Sequence, residues 1–131
     1  LRVVVLGGLE DSELGARISA VGARCVDKTG QTTLPEMVEW IRASEAMVTN
    51  DTGPMHVAAA LVKPVVALFG PTDPRRTGPY QARGSVLQTT AMDCVPCLSR
   101  TCIAERERDC LRSIEVAKVA AEVRQVLVNG E

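Results

Sequence analysis

The sequence predicts an α/β domain with a parallel sheet in three layers. Short β-branched and aliphatic runs alternate along the chain with longer stretches of helical apolar spacing. The chain is 46% hydrophobic but only 2% aromatic, with one Trp, one Tyr and one Phe. Its core must therefore be Val, Ala, Leu and Ile, which suits buried parallel strands packed on Ala-rich helices. The 131 residues fit one domain, and there is neither an internal repeat nor a linker.

The elements follow in order. Residues 3–6 are a β-branched run that exits into Gly7-Gly8, as a buried strand does. Residues 10–21 place Leu14, Ile18 and Val21 on one helical face, with acidic residues in the first turn and Gly22 as the stop. Residues 24–27 form a second strand. Thr32 or Thr33 can cap a helix over 34–43, whose apolar face is Leu34, Met37, Val38 and Ile41. Residues 46–49 form a third strand and 54–61 a short helix, stopped by Lys63-Pro64. Residues 65–69 are the most hydrophobic strand. A long loop over 70–84 carries Pro71, Pro74 and Pro79, and residues 86–88 form an edge strand. Residues 92–111 show little periodicity. Residues 116–128 form a closing amphipathic helix, with Ser113 as its cap.

Net charge is −1 with both signs interspersed, so no basic stripe points to nucleic acid. No apolar run is long enough to cross a bilayer, and none reads as a signal peptide. The chain starts at Leu1 and enters a strand almost at once, as a fragment would. Five cysteines, an odd number, argue against a secreted disulfide framework and for a reducing cytosol.

The strongest chemical signal is Asn50-Asp51-Thr52-Gly53-Pro54-Met55-His56, where a strand ends and a helix begins. Ligands of open α/β sheets bind beyond the carboxyl ends of the strands. A helix N-terminus there offers free N–H groups and partial positive charge, which suits a diphosphate. Gly53 lets a phosphate come close, and Pro54 gives up no needed hydrogen bond. Asp51 would repel a phosphate, so it either caps the helix or bonds sugar hydroxyls. His56, in the first turn, can face the same pocket. Asp-Thr-Gly also marks aspartic proteases, but those require a β-rich chain and a second carboxylate.

A second segment, Phe69-Gly70-Pro71-Thr72-Asp73-Pro74, follows the fourth strand on the same rim. Thr72 and Asp73 offer polar groups, and Arg75 or Arg76 can neutralise a phosphate. Solvated arginines fit that loop equally well.

Together the two segments, with Val57-Ala58-Ala59-Ala60-Leu61 and Lys63-Pro64-Val65-Val66-Ala67-Leu68 between them, resemble the heptosyltransferases of glycosyltransferase family nine. Weaker agreement includes Leu6-Gly7-Gly8, Thr29-Gly30, Leu34 and Cys94-Val95-Pro96-Cys97. The resemblance implies a GT-B enzyme of two Rossmann-like halves. This chain would be a single nucleotide-sugar-binding domain over residues 1–131, most of the C-terminal half. It would lack the first βα unit of that half, whose strand sits at the centre of the sheet, and the N-terminal acceptor domain. Such a piece is expected to be unstable alone or to pair its strands differently.

The implied function is the donor side of an inverting transfer of heptose from an ADP-sugar to the lipopolysaccharide inner core, with no required cofactor. Thr52 and Gly53 would hold the diphosphate, Asp51 would bind sugar hydroxyls and His56 would support the donor. Thr72 and Asp73 would line the same pocket. The catalytic base belongs to the absent half, so no residue here takes that role, and the fragment alone is expected to be inactive. Its partners would be the nucleotide-sugar donor and, through the missing half, the lipopolysaccharide acceptor. Its location would be cytoplasmic, with the inner face of the inner membrane as the narrower alternative. Another nucleotide-sugar enzyme of this fold, a different glycosyltransferase or an epimerase, is a competing reading. So is a stand-alone nucleotide-binding module.

Cys94, Cys97, Cys102 and Cys110 could enclose one metal, but the spacing after the first pair matches no zinc pattern. No metal is expected there. Reduced thiols or a local disulfide fit better, and the resemblance suggests a structural clip.

Overall fold

The computed structural model describes residues 1–80, 82–102 and 108–129. The chain forms two compact units, Leu1–Trp40 and Ile41–Glu131.

In the first unit, β1 (Val3–Val5) leads into a 3-10 turn at Leu9–Asp11 and then α1 (Ser12–Ser19). The helix is shorter than the expected 10–21 because its first residues close a tighter turn. The Gly8 N–H donates to Asp11 Oδ2 at 3.0 Å within that turn, and the helix ends at Ser19. The chain then returns as β2 (Cys25–Asp27), parallel to β1, with Val3 opposite Cys25 and Val5 opposite Asp27. Gly15 is the buried contact of α1. A methyl there would come within 2.5 Å of Asp27 Oδ1 and Thr29 Oγ1. Thr29 donates to Asp27 Oδ1 through Oγ1 (2.7 Å) and N–H (2.8 Å), in that order the causes that hold the Asp27 carboxyl below its ordinary range.

The division between the units falls within α2 (Leu34–Ala43). Thr33 and Glu36 start this helix with a capping box. The Thr33 hydroxyl and N–H each donate to Glu36 Oε2 at 2.7 Å.

The second unit holds β3 (Met47–Asn50), α3 (Gly53–Ala60), β4 (Val65–Phe69), α4 (Pro74–Thr77), β5 (Gly84–Gln88), α5 (Asp109–Arg112) and α6 (Val116–Val128). Its strands run in the order β3-β4-β5, all parallel, so β4 is central. That position explains why β4 is the most apolar strand: Val65, Val66, Ala67 and Phe69 are essentially inaccessible. The helix α3 packs on β3 and β4, with Met55 and Ala58 fully buried. The closing helix α6 packs on β4 and β5. Its N-cap is Glu115, not Ser113, because the Ser113 hydroxyl is taken by the Cys110 carbonyl at 3.2 Å. The strand β5 starts two residues earlier than expected, at Gly84. There φ is +123° and any Cβ would collide with the Val65 carbonyl, so only glycine continues the ladder.

All strand pairs among the described residues are parallel, as the alternating pattern predicts. The described strands nevertheless pair as two sheets, β1-β2 and β3-β4-β5, rather than as one.

Candidate functional site

All six predicted site residues lie in the second unit. Because β3 and β4 are adjacent and parallel, with Asn50 opposite Leu68, their carboxyl ends release two loops on one rim. The first loop is Asp51-Thr52, leading into α3. The second is Gly70–Asp73, leading into α4. A hydrogen bond joins them: the Thr77 hydroxyl, at the end of α4, donates to Asp51 Oδ2 at 2.8 Å.

One of the two roles left open for Asp51, the cap of α3, is not the one it takes. The N-cap is Thr52, extended at φ −147° and ψ 167°, and no side chain accepts from the first turn of the helix. The Thr52 hydroxyl turns back instead toward Thr49 Oγ1 (3.3 Å) and the Asn50 carbonyl (3.4 Å). The first N–H groups of α3 therefore have no side-chain acceptor, at the end where the helix dipole is positive.

Gly53 opens α3 and is exposed. A Cβ built on it meets no heavy atom within 4 Å. Nothing in the protein requires glycine there for space, so the open side is available to a group from outside. His56, also in the first turn, is exposed.

The second loop is fixed from two sides, by β5 and by α4. Gln88, the last residue of β5, donates through Nε2 to the carbonyls of Thr72 (2.8 Å) and Gly70 (3.0 Å). Asp73 is buried and caps α4, accepting from the Arg75 N–H at 3.0 Å. Its carboxylate also takes the Arg75 guanidinium in a bidentate pair, Nε to Oδ1 at 3.1 Å and Nη2 to Oδ2 at 2.9 Å. Those Arg75 hydrogen bonds hold the Asp73 carboxyl below its ordinary range, and the same pair raises Arg75 above its own. Asp73 thus shapes the rim, with both oxygens engaged by its own helix. Arg75 is neutralised by it. Arg76 is exposed, and its side chain has no hydrogen-bond or ion-pair partner among the described residues. Of the two arginines it is the one whose charge is available to an anion.

Three contributors were not singled out from the sequence: Thr49, Thr77 and Gln88. Gln88 had one signal, its place at the end of a strand on the same rim. Thr77 had none, since its partner is 26 positions away.

The sequence profile of glycosyltransferase family 9 (heptosyltransferase) matches residues 1–107. The chain is similar to lipopolysaccharide heptosyltransferase 2 of Salmonella typhimurium, with 42% identity over 92 residues, covering 66% of this chain and 26% of that protein. Among solved structures it is similar to E. coli ADP-heptose lps heptosyltransferase II, with 33% identity and a TM-score of 0.75 over 98% of this chain and 37% of that one. It is also similar to the glycosyl transferase family 9 structure from Veillonella parvula, with 27% identity and a TM-score of 0.80 over the same shares. The chain thus spans about a quarter to a third of the length of the curated relatives it matches. The residues matched include both loops of the rim, and the chain belongs to glycosyltransferase family 9, the heptosyltransferases.

Proposed function

We propose that this chain binds the ADP-sugar donor of an inverting glycosyltransferase that moves heptose onto the lipopolysaccharide inner core. One observation carries the reading: the uncapped N-terminus of α3, opened by Gly53, stands beside a second loop that is tied to it through Asp51 and Thr77. In this reading the diphosphate lies on the N–H groups of Thr52 and Gly53. Arg76 supplies the counter-charge. Asp51, with one oxygen on Thr77, accepts from sugar hydroxyls with the other. His56 supports the donor from the first turn. Thr72 and Asp73 form the wall of the pocket, Asp73 by holding α4 in place.

The chemistry needs little more from this side. An acceptor hydroxyl attacks the anomeric carbon from the face opposite the leaving group, and ADP departs. Charge builds on the diphosphate as the bond breaks. A helix N-terminus and an arginine, fixed before the reaction, stabilise that charge without reorganising. No metal is required for this, and the base that takes the acceptor proton is assigned outside this chain. The transfer takes place in the cytoplasm, at the inner face of the inner membrane. Among the described residues no helix is long and apolar enough to cross a membrane.

The test is transfer by the intact protein, following ADP release from ADP-heptose with inner-core acceptor. Acceptor-dependent ADP release that falls at least tenfold in Gly53→Val supports the reading. Release that is unaffected by Gly53→Val rejects the site.

A further inference from the structure

Cys94, Cys97, Cys102 and Cys110 are given no part in the donor site, yet Cys110 and Leu98, the neighbour of Cys97, meet the Gly70–Pro71 turn at its border. Cys110 lies in α5 and is buried at 8% exposure. Its Sγ packs on Gly70: a methyl added to that glycine would sit 3.1 Å from the sulfur and 2.8 Å from Leu111 Cγ. The residue after Cys97 docks on the next position of the same turn, with the Leu98 N–H donating to the Pro71 carbonyl at 2.8 Å. Cys102 reaches the start of α5, where its Sγ accepts from the Arg108 N–H at 3.5 Å. Cys97 and Cys102 are exposed. The Cys110 thiol is pushed up, first by burial. Cys110 stands two residues after Arg108, so the Cys102 sulfur held on the Arg108 N–H lies beside the same short helix. Among the described residues no three His, Cys, Asp or Glu are arranged to hold a metal.

We propose that Cys102 and Cys110 form an oxidisable dithiol that closes to a disulfide by exchange with a small-molecule disulfide of the glutathione type. The exposed Cys102 thiolate attacks one sulfur of the oxidant. Its S–S bond breaks, and one glutathione leaves as a thiolate and is protonated. The Cys110 thiolate then attacks Cys102 Sγ in the mixed disulfide and expels the second glutathione. Two protein thiols are oxidised and one disulfide is reduced to two thiols. The order follows from access, since an exposed thiol meets the oxidant first. The second step is slow because a buried thiol ionises reluctantly. The bridge would tie Cys102 to α5, which packs on Gly70 immediately ahead of Thr72 and Asp73.

The test treats the intact protein with glutathione disulfide, alkylates the remaining thiols and maps the linkages by mass spectrometry without reduction. The expected product is a Cys102–Cys110 link. Its formation should quicken by about tenfold per pH unit between pH 7 and 8, as a thiolate-limited step does below the thiol's pKa. Cys110→Ala should stop at a glutathione adduct on Cys102. Cys102→Ser should leave Cys110 unmodified over the same time. A Cys94–Cys97 or Cys97–Cys110 link in the unmutated protein would overturn the assignment. So would glutathione adducts that persist on Cys102 without closing. These measurements do not use the donor, so their outcome is independent of the donor-site reading.

Discussion

Replacing Gly53 with valine separates the two reasons a glycine can occupy the start of a helix. The Cβ position at Gly53 is open to 4 Å, and the residue is exposed. The valine Cβ therefore meets no part of the protein beyond its own chain neighbours, and the fold should lose about 0.5–1 kcal/mol, mainly from placing a branched residue ahead of Pro54 in the first turn. A phosphate is another matter. To accept from the Gly53 N–H it must come within about 3 Å of that nitrogen, where the valine methyls would stand. Losing one hydrogen bond to a charged group costs about 1.5–3 kcal/mol. At about 1.4 kcal/mol per factor of ten, ADP affinity should fall roughly 10- to 150-fold. Calorimetry of the intact protein with ADP reads the affinity, and urea unfolding of the same variant reads the fold. Unchanged affinity, with a loss of stability no larger than this, would refute the argument that the open side of Gly53 is where the diphosphate binds.

Further outcomes follow from the same geometry. The Asp51–Thr77 bond should give a coupling of about 0.5–1.5 kcal/mol in a double-mutant cycle of Asp51→Ala and Thr77→Val, read by urea unfolding; a coupling of zero would mean the loops are not tied. Phe69→Ala, at a fully buried position of the central strand, should cost about 3–5 kcal/mol in the same assay. The Asp73 carboxyl is held below its ordinary 3.8 by Arg75, so the cap of α4 is intact above that pH and is lost only as pH falls through the lower folded value. Carbon NMR should find its midpoint under 3.8, and Arg75→Ala should move it upward. A midpoint at or above 3.8 in the unmutated protein would contradict the bidentate pair.

The strongly patterned elements were legible in the sequence. The β4 strand occupies 65–69 as expected, because an unbroken apolar run lies between Pro64 and Gly70. The helices α2 and α6 also keep their expected bounds, each having an apolar stripe over several turns. What escaped was short or distant. The helices α4 and α5 have four residues each, too few to show a period. Asp73-Pro74 did carry a signal for α4, an N-cap followed by proline at the first helical position. Asp73 was expected to line the pocket and Arg75 or Arg76 to meet a phosphate; the pairing of Asp73 with Arg75 was not foreseen. Which loops touch is set by strand order, and no local pattern encodes the bond between positions 51 and 77. The pairing into two sheets departs from the single sheet that the alternating pattern suggests, and a departure in strand pairing was one of the two outcomes expected.

The central claim is that the start of α3 receives the donor diphosphate. A crystal structure of the intact protein with ADP tests it most directly. The account predicts a phosphate oxygen about 2.7–3.2 Å from the Gly53 backbone nitrogen, with Arg76 turned toward the diphosphate. ADP bound with its diphosphate away from Thr52 and Gly53 would contradict it.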